Sequence, residues 1–231
     1  MSKTALIEAV QNLDLQKTKR LLDAKPQLLA VTDRQGRNLL HLACSASTTR
    51  LGKAAATQVR LVVFLLQRDF DIDEPFGRDK VTALFVAVAR ARSPSLIKLL
   101  LERGAKVNSA PGGGLFAACW YDDVQNLKIL VEAGAEIDIV VGITPFLAAW
   151  LWKKFRSAKY LALHGANVNH QDRKGKTALH HSVEKEYDPA LLTWLVKHGA
   201  SPEIKDRGGV SPALRASRKR DKRFFAALSR G

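Results

Sequence analysis

Residues 160–200 read YLALHGANVNHQDRKGKTALHHSVEKEYDPALLTWLVKHGA, and this stretch contains the unit from which the chain is built. Two apolar runs at helical spacing, Tyr160-Leu161-x-Leu163 and Leu191-Leu192-x-Trp194-Leu195-Val196, are each followed by Gly-Ala, at Gly165-Ala166 and Gly199-Ala200. Glycine just past such a run is a helix stop, because it takes the left-handed cap without steric penalty. Between the stops, Thr177 precedes Ala178-Leu179-His180 as a helix cap would. Toward the N-terminus, further Gly-Ala pairs fall at Gly104-Ala105 and Gly134-Ala135, so the spacings are 30, 31 and 34 residues. The cap marker recurs as Thr82-Ala83-Leu84, Thr144-Pro145-Phe146 and Ser211-Pro212-Ala213, with an earlier copy at Asn38-Leu39-Leu40-His41-Leu42-Ala43. Each unit therefore reads turn, helix, tight turn, helix, glycine stop, repeated along the chain.

The pattern resembles the ankyrin repeat, whose signature is T-P-L-H-x-A in a period near 33. The resemblance rests on Asp33-Arg34-Gln35-Gly36 with Leu40-His41-Leu42-Ala43, and on Asn167-Val168-Asn169 through Gly175-Lys176-Thr177-Ala178-Leu179-His180. It implies an all-α repeat solenoid of stacked helix-turn-helix units with short β-turn fingers. About seven units are expected in a single domain over 1–231: an N-terminal capping repeat (1–32, helices in Thr4–Leu29), five internal repeats (33–210), and a basic C-terminal capping repeat (211–231, helices in Ser211–Arg230). Several units depart from the pattern. About ten extra residues near Ser47–Gln58 separate the helices of the second repeat, and Asp69-Phe70 stands where Gly-Ala is expected. The finger before the fourth repeat is glycine-rich (Pro111-Gly112-Gly113-Gly114). The finger before the fifth is short and apolar (Ile139, Val140, Val141, Ile143).

Composition limits the chemistry. With 46% hydrophobic and 26% charged residues over 231 positions, wholesale disorder is excluded. Met1–Asp14 lacks the apolar core of a signal peptide. The longest uncharged apolar stretch, Ile139–Trp152, is 14 residues, short of the ~18 that span a bilayer. A cytoplasmic location is the expectation, with nuclear or secreted-effector locations left open. Cys44 and Cys119 follow small-residue helix cores and read as two buried free thiols. Gly112–Gly114 lacks the Lys-Ser/Thr of a phosphate loop. Adjacent His180 and His181 do not share a helix face; the resemblance instead implies that His41 and His180 bond to the fingers. Asp71/Asp73 and Asp122/Asp123 read as turn acids. No nucleophile, base and orienting group assemble, so no enzyme activity, metal or cofactor is expected.

Charge and aromatic residues point to binding. The formal net charge is +15 and the pI about 10.1, a field that draws acidic partners or polyanions. In ankyrin proteins the fingers and the exposed end of each first helix form the binding surface. The resemblance places Ser45/Ala46, Ala89/Arg90, Trp120/Tyr121, Leu151/Trp152, Glu184/Lys185 and Arg218/Lys219 in those end positions. The central members Trp120, Tyr121, Leu151 and Trp152, beside Val140 and Val141, have the character of a binding hot spot. Packed against a shifted neighbour they would instead be core, as Trp150 is expected to be. Arg90, Lys185, Arg218, Lys219 and Lys222 supply a basic rim. If Arg215–Arg223 is helical it covers an outer face, with Phe224, Phe225 and Leu228 sealing the core. The leading expectation is a monomeric, non-enzymatic adaptor or inhibitor that binds an acidic protein. Nucleic-acid or polyanion binding by the basic face is the alternative, but no known nucleic-acid reading motif is present. A microbial effector acting on a host protein is a third reading.

Overall fold

The structure is a computed structural model that describes residues 2–109 and 113–229. Among these residues fourteen α-helices form seven consecutive pairs. The pairs are α1 (Lys3–Gln11) with α2 (Leu15–Ala24), α3 (Leu39–Ser45) with α4 (Ala55–Leu66), and α5 (Ala83–Val86) with α6 (Pro94–Glu102). They continue as α7 (Leu115–Trp120) with α8 (Val124–Glu132), α9 (Pro145–Leu151) with α10 (Phe155–Leu163), α11 (Ala178–Glu184) with α12 (Pro189–Lys197), and α13 (Pro212–Ser217) with α14 (Arg223–Leu228). No β-strand occurs among the described residues; two isolated antiparallel bridges, Phe76–Val81 and Val141–Ile143, mark fingers.

The same local chemistry builds each pair. Asn38, Thr82, Thr144 and Ser211 each cap a first helix by accepting the N–H three residues on, at 3.0–3.4 Å. The glycine stops Gly104, Gly134, Gly165 and Gly199 have φ of +90°, +83°, +94° and +89°. The alanine after each returns its N–H to the carbonyl five residues back at 3.0 Å in all four copies, which satisfies an otherwise orphaned helix-end carbonyl. Asp69 takes the same left-handed conformation (φ +58°) in its glycine slot. A second left-handed position closes the tight turn between paired helices. It is occupied by Leu13, Arg92, Asp122, Lys153 and Glu186, none of them glycine. In the third repeat this residue comes one position late, and the π-helical turn Ala87–Ala91 absorbs the extra residue.

Three fingers share an Asp-x-x-Gly turn. Asp33, Asp172 and Asp206 each accept, on Oδ1, the N–H groups two and four residues on, at 2.8–3.0 Å. Gly175 cannot carry a side chain, because a Cβ would lie 2.7 Å from the nitrogen of Arg207. Histidine ties helix to finger as the resemblance implies: His41 Nε2 donates to the Glu74 carbonyl (2.9 Å), and His180 Nε2 to that of Val210 (3.0 Å).

The chain forms two compact units. The first comprises Met1–Ala118 and Gln125–Glu136. Its core is aliphatic: Leu6, Leu39, Leu40, Leu42, Leu61, Leu65, Leu96, Ile97 and Leu100 are fully buried. The extra segment of the second repeat is residues 46–54, and it ends earlier than the sequence implies, because Gln58 lies within α4. There Gln58 is fully buried and donates to the carbonyls of Ala43 (2.9 Å) and Ala46 (2.8 Å). Lys53 donates to the Asn12 carbonyl (2.5 Å) at the end of α1, where an ammonium complements the helix dipole. Pro111 and Gly112 of the glycine-rich finger lie outside the described residues. Gly114, which comes after them, is packed so that a Cβ would meet Leu130 Cδ1 at 2.9 Å.

The second unit comprises Cys119–Val124 and Ile137–Gly231. Its core is aromatic. Trp150 is fully buried, as expected, and lies against Phe155 (ring centroids 5.1 Å), Phe146 (6.0 Å) and Trp194 (6.3 Å). Its indole N–H donates to Ser182 Oγ at 2.8 Å, and that hydroxyl donates to the Ala178 carbonyl. The buried indole polar group is thereby satisfied. Cys44 and Cys119 are both buried and free. Burial, with Asp122 adding to it, pushes the Cys119 thiol up to about 12, which leaves it unreactive near neutrality.

Candidate partner-binding surface

The second unit brings several of the expected binding residues together. Trp120 ends α7, Tyr121 comes next, and they are 54% and 45% exposed. Trp152, directly after α9, meets Trp120 edge-to-face with ring centroids 5.1 Å apart and planes at 81°. This is a favourable aromatic geometry. Leu151 and Trp152 are half-buried. Val140 and Val141 are 59% and 50% exposed on a finger that lacks the Asp-x-x-Gly turn, where Val141 and Ile143 pair around Gly142.

Beside this patch runs an open groove of about 540 Å³. Val141, Ile143 and Leu151 form its apolar side, and Arg173, Lys174 and Lys185 its exposed basic side. Asp172, Lys176, His181 and Glu184 complete the lining. These four are joined in pairs. His181 Nε2 lies 2.8 Å from Asp172 Oδ2, and Lys176 Nζ reaches both Glu184 oxygens at 2.6 and 2.9 Å. Arg215 then bridges Glu184 (2.9 Å) to Asp206 (2.8 Å) of the next finger. Burial raises the Asp172 carboxyl, but the hydrogen bonds from the Lys176 N–H, His181 and the Lys174 N–H outweigh it. The net position is below the usual carboxylate range. Glu184 behaves alike: burial raises it, while Lys176 and Arg215 bring it down overall. The side chains of these pairs are largely covered, between 6% and 28% exposed, so desolvation offsets much of their attraction. Their consequence is geometric, since they fix the fingers relative to α11 and α13.

Other expected positions fall elsewhere. Arg90 is exposed and belongs to the first unit, in the π-helical turn. Ala46 is buried rather than displayed, because it starts the segment held by Gln58; Ser45 and Ala89 are half-buried. The basic run is not one helix. α13 stops at Ser217, and Arg218–Lys222 form the turn before α14, since the repeat's tight turn falls there. Arg218 and Lys222 are exposed. Lys219 is half-buried and pairs with Glu186 at 2.7 Å, and Lys222 caps α13 through the Ser217 carbonyl. Phe224 and Leu228 seal the core, but Phe225, about 100° round the helix from Phe224, is 44% exposed. Arg230, the last residue of the expected terminal pair, lies outside the described residues.

The linked set Asp172, Lys176, His181, Glu184 and Arg215 was not evident as a site from the residues alone. The available signal was positional: Asp172 and Asp206 hold the same slot in successive fingers. Among the described residues no group of three metal-ligating side chains occurs, and no helix is long and apolar enough to cross a membrane.

The models for ankyrin repeats match residues 79–110 and, as three copies, residues 115–206. The chain is similar to the B-cell lymphoma 3 protein homolog of Mus musculus, 28% identical over 193 residues that cover 81% of this chain and 34% of that protein. It is also similar to the phosphocholine transferase AnkX of Legionella pneumophila, 27% identical over 143 residues, covering 58% of this chain and 15% of that one. The aligned stretches thus span about a third or less of these curated relatives. The solved ankyrin repeat domain of Bcl-3 superposes with a TM-score of 0.80 at 25% identity, covering 97% of both chains. With seven helix pairs, recurring caps and glycine stops, and these matches in hand, the chain belongs to the ankyrin-repeat family.

Proposed function

We propose that this protein is a non-enzymatic adaptor or inhibitor that binds an acidic protein partner through the patch of Trp120, Tyr121, Leu151, Trp152, Val140 and Val141. Lys185 supplies positive charge in the groove beside this patch, and Arg90, Arg218, Lys219 and Lys222 contribute to the basic character of the protein as a whole. The observation that carries this reading is the edge-to-face pair of Trp120 and Trp152 at the surface. Aromatic anchors of this kind, rimmed by charge, dominate binding energy in protein interfaces. The net charge of +15 favours an acidic partner and speeds encounter more than it raises affinity. A cytoplasmic monomer accords with the reading.

The test is capture from nuclease-treated native lysate by immobilised wild type beside the W120A/W152A double variant. The expected result is a discrete acidic protein retained by wild type and lost by the variant. Retention of nucleic acid alone from untreated lysate, stripped by salt and indifferent to both substitutions, would replace this reading with polyanion binding.

A further inference from the structure

We infer that the groove between the 139–143 finger and the 172–176 finger receives a short linear peptide segment in which a large apolar side chain stands next to two or more carboxylates. This deepens the proposed protein-binding function, and rests on it only for the partner being a protein.

The groove has two unlike walls. One is aliphatic: Val141, Ile143 and Leu151. Its side chains offer burial to a leucine- or tryptophan-sized side chain and carry no polar group. The other carries Arg173, Lys174 and Lys185, all exposed and without an ion-pair partner among the described residues. Four cations line the groove against two carboxylates, those of Asp172 and Glu184. Both carboxylates are already occupied, Asp172 by two backbone N–H groups and His181, Glu184 by Lys176 and Arg215. The cations left over are therefore those of the rim, and an occupant with acidic groups is the one whose charge complements them.

The rim is also preorganised. Arg173 and Lys174 are the central residues of a turn whose backbone is fixed by the Asp172 carboxylate and the Gly175 N–H to the Asp172 carbonyl. The Arg207 N–H to the Lys174 carbonyl (3.0 Å) fixes it further. Presenting charge from a rigid turn lowers the ordering cost of binding. A groove of about 540 Å³ has room for a few side chains and not for a folded domain.

The experiment selects binders for the full chain from a random peptide library. Affinities of the enriched peptides are then measured against wild type, R173E/K174E and W120A/W152A. Enrichment of sequences with adjacent apolar and acidic residues is expected. Their binding falls tenfold or more in R173E/K174E, and peptides with lysine in place of the acids recover binding to that variant. Both substituted sites are exposed turn positions; an unchanged melting temperature confirms that the charge is what is read. Enrichment without acidic residues, or binding unaffected by R173E/K174E, overturns the inference. Loss of peptide binding in W120A/W152A alone also overturns it, while leaving the protein-binding reading intact. Loss in R173E/K174E alone, with W120A/W152A binding the peptide normally, upholds the groove and shifts doubt to the tryptophan patch.

Discussion

The end of a first helix meets two different fates in this molecule. After α3 in the first unit, residues 46–54 intervene before α4, Ala46 is buried, and Gln58 clamps two carbonyls from within the core. After α9 in the second unit there is no such segment. The chain turns at once through Lys153, and Leu151 and Trp152 are left half-buried, with Trp152 against exposed Trp120. The length of chain between the paired helices therefore decides whether this slot of the repeat is internal or superficial; the apolar character of its own residue does not. Alanine is buried in one copy and tryptophan partly displayed in the other. Apolar character without cover is what marks a partner site.

The largest expected effect separates two neighbouring tryptophans. Trp150→Ala removes a fully buried indole and its bond to Ser182, and should destabilise by about 3–5 kcal/mol. Trp152→Ala should cost well under half of that. Urea unfolding of the two variants checks this, and equal losses would place both side chains in the core. Next comes the clamp. Gln58→Ala strands the Ala46 carbonyl and leaves that of Ala43 with only the Ala46 N–H, and a loss of about 1–2 kcal/mol is expected by the same measurement. A near-zero change would mean that the 46–54 segment is not held as described.

Acid should act on both units together. Burial lowers His41 in the first unit and His180 in the second below the usual histidine value of 6.5. For His180 the reason is visible: Nδ1 accepts the Thr177 N–H (3.0 Å) while Nε2 donates to Val210, so the ring is held neutral. The unfolded chain binds more protons than the native one below that value. Stability is then full above about pH 6.5 and declines as pH falls through it. Melting temperatures between pH 8 and 5.5 should show this decline before the carboxylates titrate. His41→Gln should lessen it, and a flat profile would contradict the burial of neutral rings. The smallest effect is at the strained turn. Lys153→Gly relieves a left-handed non-glycine residue (φ +59°) and sacrifices only a 5.4 Å approach to the Tyr187 ring. A gain of about 0.5 kcal/mol is expected.

Repeat phase was legible in the sequence because it is written in residues with conformational requirements. Gly104, Gly134, Gly165 and Gly199 need positive φ, and Asn38, Thr82, Thr144 and Ser211 cap. The buried role of Trp150 was legible for the same reason, since it stands in a slot that repeats. The tight-turn position was not, because Leu13, Arg92, Asp122, Lys153 and Glu186 share a conformation and no side-chain chemistry. The basic run at the C-terminus misled on geometry: charge says nothing about where a helix ends, and the turn through Arg218–Lys222 is set by repeat phase alone. The ion-pair chain from Lys176 through Glu184 to Arg215 joins residues on successive fingers and helices, which spacing along one helix cannot reveal.

The proposed function stands on Trp120 and Trp152 binding a partner and not holding the fold. The affinity of the captured partner for W120A/W152A, measured beside the melting temperature of that variant, separates the two roles in one experiment. A loss of about 30-fold or more is expected, equivalent to ~2 kcal/mol, with the melting temperature within a few degrees of wild type. Unchanged affinity, or a loss of binding accompanied by melting many degrees lower, would contradict it.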